Sequence, residues 1–541
     1  MIGQWDGKVR ITAFIDIGTY SVRLLIVRLN ANRSFNVLRQ EKEVVRLGEG
    51  EFKQNLLTEP AIDRTVTVCT KFAELSRNLG ADDIVAVATS AAREARNQQE
   101  LLDRIRSRAL LDVSVISGKE EARLIHLGVS SGLHIGERKA LFIDIGGGSC
   151  ELAIGDQHQY HYLDSLKLGT IRMTSLFLPE GHTGPVTDDL YDRMRKHVRT
   201  AMIRTKKVVA EDEISMTVAS SGTAINLAQM ASRMFEIEEE RPLFLRRSHL
   251  RKLAAHLCSL DLDSRRQVPG INPERADIII GGAAILETLM DELNIEEVLV
   301  SDRGLRDGLL VEYLVKNGIM SGTATLNVRE RSILQLGRSC DVDEGHARTV
   351  QRLVLGLFDS ARAANMHAMG GWERELLSYA GFLHDIGDFI SFHNHHLHSF
   401  YIISNSELLG FDQREVAIIA NIARFHRKKV PNRNDKELKG MDRHGQEMVM
   451  KLSTLLRIAE SLDRSHEGLI VSARLGPADR DGALLSLHSK KECQLECWGV
   501  AADSKAFQRT FDRSLVTDVK VTGLVPNILA AVGEDKYSAR S

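Results

Sequence analysis

Two stretches of this sequence end an apolar run with an aspartate and follow it with glycine and hydroxyl residues. In KALFIDIGGGSCELAI, Asp144 precedes Gly146-Gly147-Gly148-Ser149. Glycines let backbone N–H groups converge on phosphate oxygens without obstruction by Cβ. Ser149 adds a hydroxyl donor, and Asp144 at a strand's C-terminal end can hold Mg²⁺ directly or through water. ITAFIDIGTYSVRLLIVRL offers a weaker version with Asp16, Gly18, Thr19 and Ser21. Facing each other across a cleft, two such loops would hold a phosphate from both sides. A single Gly-rich turn can equally be only a tight hairpin. Here, however, Phe14–Gly18 and Phe142–Gly146 are identical, and Ser21 and Ser149 follow at the same offset. Identity at equal spacing argues for two related lobes, each opening with a hairpin.

A third stretch could supply a base. In Ile116-Ser117-Gly118-Lys119-Glu120-Glu121-Ala122-Arg123 a strand ends and a helix opens. Glutamates in a first helical turn favour the positive end of the helix dipole and need no further reason. The functional alternative is that one of them faces the cleft and activates water. Arg93, after Thr89-Ser90, could neutralise phosphate charge through bidentate contact, or be a surface helix arginine.

These residues need strands and helices to bring them together. The pattern predicts strands over Ile11–Ile17, Asp83–Thr89, Val113–Ile116, Ser215–Ser220 and Glu297–Ser301. Helices are expected over about 58–79, over about 91–109, from Lys119, after Gly222 and up to about Leu293; Ile278–Ile280 fits a strand or a helix. Alternation of this kind implies an α/β fold with mixed sheets. After about residue 315 helical periodicity takes over until about 465, and Val350–Leu357 has the spacing of a core-facing helix. From Gly468 short alternating runs such as Ala483–Leu487 suggest a small α+β tail, with the terminal EDKYSARS expected to be disordered. The expected division is 1–135 and 136–314 for two α/β lobes, 315–467 for an all-helical domain and 468–541 for the tail.

Composition narrows the classes. A chain of 541 residues exceeds one ordinary core, and 43% apolar content suffices for several. A net charge of −2 leaves polyanion binding to local basic patches, and nucleic acid is a poor fit as partner. The six cysteines form no CxxC pair, which fits a reduced, cytoplasmic protein. No signal-peptide segment or membrane-spanning run is recognised, so no membrane association is expected.

The hairpins FIDIGTYSVRLLI and FIDIGGGSCELAIG, with VATSAAREARN, ISGKEEARL, VASSGTAINLA and SDRGLRDGLL, resemble the exopolyphosphatase/guanosine pentaphosphate phosphohydrolase family. That family sits in the actin, sugar-kinase and heat-shock ATPase-fold superfamily, so the resemblance implies two actin-like (ribonuclease H-like) lobes over about 12–310. It further implies Glu121 as catalytic base and Asp144 and Glu151 as the acidic pair linked to Mg²⁺ and catalysis. Asp16, Gly18, Thr19, Ser21, Arg93, Gly146, Gly147, Gly148 and Ser149 match the phosphate-contacting loops. The implied activity is release of orthophosphate from the end of inorganic polyphosphate, or of guanosine pentaphosphate, by a homodimer. Tyr20 stands where the family commonly has Asn, and Ser301-Asp302-Arg303-Gly304 is more charged than usual; Arg303 is given no role.

The helical region carries its own chemistry. His384-Asp385, with His346 upstream and Asp463 downstream, resembles the metal set of HD-domain phosphohydrolases, and His393, His395, His396, His398 and His426 could extend it. The resemblance to longer exopolyphosphatases implies instead a binding and dimerisation role for this HD-like region. His426, Arg427, Lys428 and Lys429 belong to the sharpest basic cluster. They could guide a phosphate chain through a channel or simply suit a helix C-terminus. Arg246, Arg247, Arg251 and Lys252 fit a solvated helix face. Two further readings stay open, a non-catalytic polyphosphate or nucleotide sensor and an HD-type phosphodiesterase or nucleotidase.

Overall fold

This computed structural model describes residues 6–136, 138–237, 243–320, 327–406, 408–478 and 482–521; the terminal EDKYSARS lies outside them. The chain forms two compact units, Met1–Ser339 with Leu408–Gln413, and Cys340–Glu407 with Arg414–Ser541.

In the first unit, β1 (Arg10–Ile17), β2 (Ser21–Leu29), β3 (Phe35–Val44), β4 (Asp83–Ala88) and β5 (Val113–Val115) form one sheet. A second sheet holds β6 (Ala140–Ile145), β7 (Cys150–Gly155), β8 (Tyr160–Leu166), β9 (Met216–Ser220), β10 (Leu243–Arg246) and β11 (Glu297–Val300). The first is ordered β3-β2-β1-β4-β5 and the second β10-β11-β9-β6-β7-β8. In each, an antiparallel three-strand meander is followed by strands parallel to its first member. The repeated hairpin therefore sits within a repeated topology, with β10 an extra antiparallel edge on the second sheet.

Strand alternation explains the layers. Ala13, Ile15 and Ile17 pack with Ala61, Val66 and Phe72 of helix Glu59–Asn78, whereas Phe14 faces the other way, against Tyr313 of helix Leu305–Lys316. In the second sheet Ile143 and Leu152 pack against helix Ile279–Glu292, most of which is buried. That resolves Ile278–Ile280 as the start of a helix. The expected helix over 91–109 is two, Ser90–Glu94 and Gln98–Ala109. Asn97 stands between them, and its amide is bonded to both the N–H and the C=O of Leu57. A tertiary pairing thus ends what periodicity alone would continue. Strands β3, β8 and β10 were not expected. The charged edge sequence of β3, FNVLRQEKEV, hides its alternation.

Helix Val328–Ser339 also belongs to this unit, since Gln335 Nε2 donates to Phe35 O at 2.6 Å. The compact unit thus extends past the change of texture near 315. The second unit is helical up to Ser461 among its described residues, with Val350, Leu353, Val354 and Leu357 in the core as their spacing implies. It closes with β12 (Ile470–Pro477), β13 (Gly482–Ser489), helix Gln494–Phe511 and β14 (Ser514–Val521). No helix among the described residues is long and apolar enough to cross a membrane.

One helix crossing bears directly on the first unit's chemistry. Helix Gly118–Ser130, which carries Glu121, meets helix Leu305–Lys316 through glycines. A Cβ on Gly308 would lie 1.9 Å from Leu124 O, and one on Gly128 would lie 2.2 Å from Gly304 O. Backbone cannot yield as a side-chain tip can. We expect Gly308→Ala to destabilise the first unit by about 1–3 kcal/mol, seen as a lower urea midpoint, with Gly184→Ala unchanged as control.

Candidate active site

The C-terminal ends of β1, β4, β6, β9 and β11 meet around one cleft of about 320 Å³. This is where α/β sheets present ligand-binding loops. Asp16, Gly18, Thr19, Ser21, Glu121, Asp144 and Gly146 to Ser149 line it, so both repeated turns and the EEA helix are brought together.

The two turns have the same internal bond. Gly18 N donates to Ser21 O at 3.1 Å and Gly146 N to Ser149 O at 3.0 Å. They also pack on each other. A Cβ on Gly147 would come within 3.1 Å of Thr19 Cβ, and one on Gly148 within 2.6 Å of Ser90 Oγ and 2.8 Å of Thr19 Oγ1. Packing alone therefore demands small residues here. Among the described residues no backbone hydrogen bond ends on the amides of Gly147 or Gly148, which leaves two N–H donors at the cleft. Arg172 holds the loop from behind, its Nε donating to Gly148 O at 2.6 Å and its Nη2 to Glu94 Oε1 at 2.7 Å.

The EEA helix separates its glutamates. Ser117 caps it by accepting from Glu120 N at 3.2 Å. Glu120 turns to Arg123 at 2.7 and 2.8 Å. Glu121 is buried in the cleft, where its Oε2 accepts from Arg93 Nη1 at 2.8 Å. Arg93 also donates to Ile116 O at 3.0 Å, so its guanidinium positions the glutamate. Burial pushes Glu121 up to about 7; Arg93 opposes the shift, and Asp16 and Asp144 add to it.

Asp16 is pushed to about 6, mainly by burial, and Asp144 is also raised by burial while Ser220 Oγ donates to its Oδ2 at 2.5 Å. In their ladders Asp144 stands opposite Glu151, and Asp16 opposite Arg23. Glu151 is buried, accepts from Ser165 Oγ at 2.8 Å, and is driven well above the carboxylate range by burial and by Glu121 and Asp144. As the ladder partner of Asp144 it shares that residue's face of the sheet, next to Glu121 and Asp144. No three cleft carboxylates among the described residues have ligand atoms within 4.8 Å of one another. A cation held by Asp16 or Asp144 would keep waters and take further oxygens from a ligand, which suits Mg²⁺.

Several cleft residues were not singled out from sequence. Arg23, Lys42 and Arg275 supply positive charge. Lys42 is pushed down to about 8 by burial and by Arg275 and Arg23, and burial lowers Arg275 to about 10. Lys42 sits in β3, the unexpected strand, and Arg275 in a short turn of 3-10 helix, so no local motif flagged them. Ser221, at φ 88° on the first turn of helix Ser221–Met234, adds a strained backbone position to the cleft wall. Tyr20 is buried; its OH donates to Glu274 O at 3.1 Å and its ring lies 4.5 Å from the Arg275 guanidinium. It ties the first turn to the second half of the unit. Arg303, which also lines the cleft, donates from Nε to Gly128 O at 3.1 Å.

In the second unit His346, His384 and Asp385 do converge, joined by Glu460, which the sequence reading missed. Asp463 instead accepts from His346 Nδ1 at 2.8 Å. His395 and His426 close a second group on Asp385, whereas His393, His396 and His398 take no part in either. His426 is 1% exposed, so its ring does not share the surface with its basic neighbours as a channel wall would require. Lys429 pairs with Asp435 at 2.6 Å and Arg424 with Glu437 at 2.8 Å. Of the Arg246–Lys252 run, Arg246 ends β10 and the rest opens helix Arg247–Ser259, with Arg251 on Asp291 at 2.6 Å.

Comparison with known proteins fits this geometry. A crystal structure of an exopolyphosphatase from Cytophaga hutchinsonii is 27% identical, with a TM-score of 0.53 over 57% of this chain and 98% of its own. An exopolyphosphatase-like protein is 26% identical, with a TM-score of 0.52 over 56% of this chain and 98% of its own. The Ppx/GppA phosphatase family model matches residues 25–317, and the model for domain III of Ppx/GppA phosphatases matches 328–502. With the repeated α/β topology of the actin-like fold, these matches establish that the chain belongs to the Ppx/GppA phosphatase family.

Proposed function

We propose that the first unit is an exopolyphosphatase that hydrolyses the terminal anhydride of inorganic polyphosphate, with the 5′ end of guanosine pentaphosphate as the alternative substrate. One observation carries the reading. A buried carboxylate raised to about 7 shares a cleft with Arg23, Arg275 and Lys42, the last pushed down to about 8 by burial and by its cationic neighbours. Such a site favours a multiply charged anion and keeps a base near neutrality.

Glu121 would take a proton from water as its oxygen forms a bond to the terminal phosphorus. The P–O bond to the remaining chain breaks, and that oxygen leaves as the shortened chain's new terminal phosphate. Arg93 holds Glu121, the Gly147 and Gly148 amides and the Ser149 hydroxyl meet the transferred group, and Arg23, Lys42 and Arg275 face the following phosphates. Mg²⁺ bound at Asp144 or Asp16 would neutralise charge on the phosphoryl oxygens.

Glu121→Gln should lower kcat for Mg²⁺-dependent phosphate release by about 10²–10⁴-fold with KM little changed. A variant retaining wild-type kcat would remove Glu121 from the chemistry. Folded wild type that releases phosphate from neither substrate would favour the sensor reading, and the ratio of kcat/KM values ranks the two substrates.

The pH profile follows from the same groups. The base acts as carboxylate, so kcat/KM should fall as pH drops below about 7. Lys42 binds anions as its ammonium form, so kcat/KM should fall again above about 8. Lys42→Gln should raise KM and remove the alkaline limb, which a pH series on both proteins reads directly.

A further inference from the structure

The cleft cations come from both halves of the first unit, and their meeting has to be arranged. Lys42 belongs to β3, whereas Arg275 closes a 3-10 turn of three residues, Pro273–Arg275. So short a turn has poor hydrogen-bond geometry of its own and takes its position from what surrounds it. Two residues next to the first hairpin turn supply that support. Tyr20 OH donates to Glu274 O at 3.1 Å, and Arg46 Nη2 donates to the same carbonyl at 2.7 Å. Arg46 also holds Asp277 with both arms of its guanidinium, at 2.5 and 3.1 Å. Such a fork fixes direction as well as distance. Arg46 has φ 48°, a left-handed position uncommon for arginine, and its N–H joins that of Val45 on Tyr20 O. The Tyr20 and Arg46 side chains therefore act as one piece on the turn that carries Arg275.

The Tyr20 ring gathers the charges. Its centroid lies 4.5 Å from the Arg275 guanidinium, 5.8 Å from that of Arg46 and 5.9 Å from Lys42 Nζ. All three are within reach of the attraction between a cation and an aromatic quadrupole. Arg275 also lies against Gly222, where a Cβ would come within 2.5 Å of Nη2. Arg46 is paired with Asp277, whereas Lys42 and Arg275 form no ion pair among the described residues. Their charge is left for a ligand. A carboxylate placed between them would relieve their repulsion by cancelling that charge. A neutral ring relieves part of it and leaves the charge intact.

We propose that Tyr20 and Arg46 are positioning residues that assemble the cleft cations from the two halves of the unit and so select a chain of phosphates over a single one. The proposal rests on the cleft taking such a chain. Tyr20 holds Lys42 and Arg275 at one ring, and Arg46, which is not among the cleft-lining residues, fixes the turn behind Arg275. A lone orthophosphate, or the terminal group of a chain, meets the Gly147 and Gly148 amides and Ser149 and does not depend on this arrangement. The phosphates that follow meet Lys42 and Arg275, and they do.

The test titrates the full chain with inorganic tripolyphosphate and, separately, with inorganic phosphate, in calorimetry without Mg²⁺. Tyr20→Leu keeps apolar bulk and loses the ring face; Tyr20→Phe keeps the ring and loses the hydroxyl. Arg46→Gln weakens the support of the turn from outside the cleft. We expect tripolyphosphate to bind about tenfold more weakly to Tyr20→Leu, about threefold more weakly to Arg46→Gln, and to recover to within about threefold of wild type in Tyr20→Phe. Affinity for inorganic phosphate should stay at the wild-type value in all three. With Mg²⁺, KM for polyphosphate should follow the same order while kcat stays within about twofold. Wild-type tripolyphosphate affinity in Tyr20→Leu, an equal loss for both anions, or a Tyr20→Phe protein as weak as Tyr20→Leu would each overturn the proposal. If Tyr20→Leu does not fold, Arg46→Gln decides, and its unchanged tripolyphosphate affinity would be fatal. Wild type that binds neither anion would overturn the cleft reading itself and the proposal with it.

Discussion

The first unit depends on how closely two hairpin turns can approach. Thr19 lies where a Cβ on Gly147 or Gly148 would have to be, and a Cβ on Gly169 would come within 2.4 Å of Gly147 O. Glycine at these positions brings the ends of β1 and β6 together, and with them Asp16 and Asp144. Helix Gly118–Ser130 delivers Glu121 to the same place because Gly128 and Gly308 let it lie directly on helix Leu305–Lys316. These close contacts set the separation of the reactive groups, and the apolar cluster shared by Phe14, Leu124, Phe142 and Leu309 holds the same elements together.

The electrostatic state of the cleft follows from that closeness. Burying Asp16, Glu121, Asp144 and Glu151 together disfavours their charged forms, and all four are shifted upward. The cations are strained in the opposite sense, since Lys42 and Arg275 are lowered by burial among one another. Each set is a poor environment for itself and a good one for a ligand carrying the other sign.

Much of this was legible in the sequence because the reactive groups follow recognisable punctuation. Apolar strands ending in Asp-x-Gly, a strand-to-helix junction with paired glutamates, and an HD doublet all announce themselves locally. Local pattern could not say which glutamate turned inward, since Glu120 and Glu121 share every local property and differ only in the side of the helix they occupy; only the family resemblance picked out Glu121. It could not find Lys42 or Arg275, which reach the cleft by long-range pairing of an edge strand and a short turn. Nor could it choose Glu460 over Asp463 as a companion of His384. Both are acidic residues in the RIAESLDRS segment, and only the packing of helix Arg443–Ser461 against His346 assigns one to the group and the other to the ring behind it.

The two hairpins share Phe-Ile-Asp-Ile-Gly and the serine five positions after the aspartate, and seven positions after it Arg23 in one copy corresponds to Glu151 in the other. A duplicated scaffold has thereby become electrically lopsided, with a guanidinium opposite one aspartate and a second carboxylic acid opposite its twin. A linear phosphate chain is the same read from either end and carries no polarity of its own. Under the proposed activity, any sense of direction in handling such a polymer must be written into the protein, and this difference of charge between the two hairpins breaks the symmetry that would leave both ways of entering equivalent.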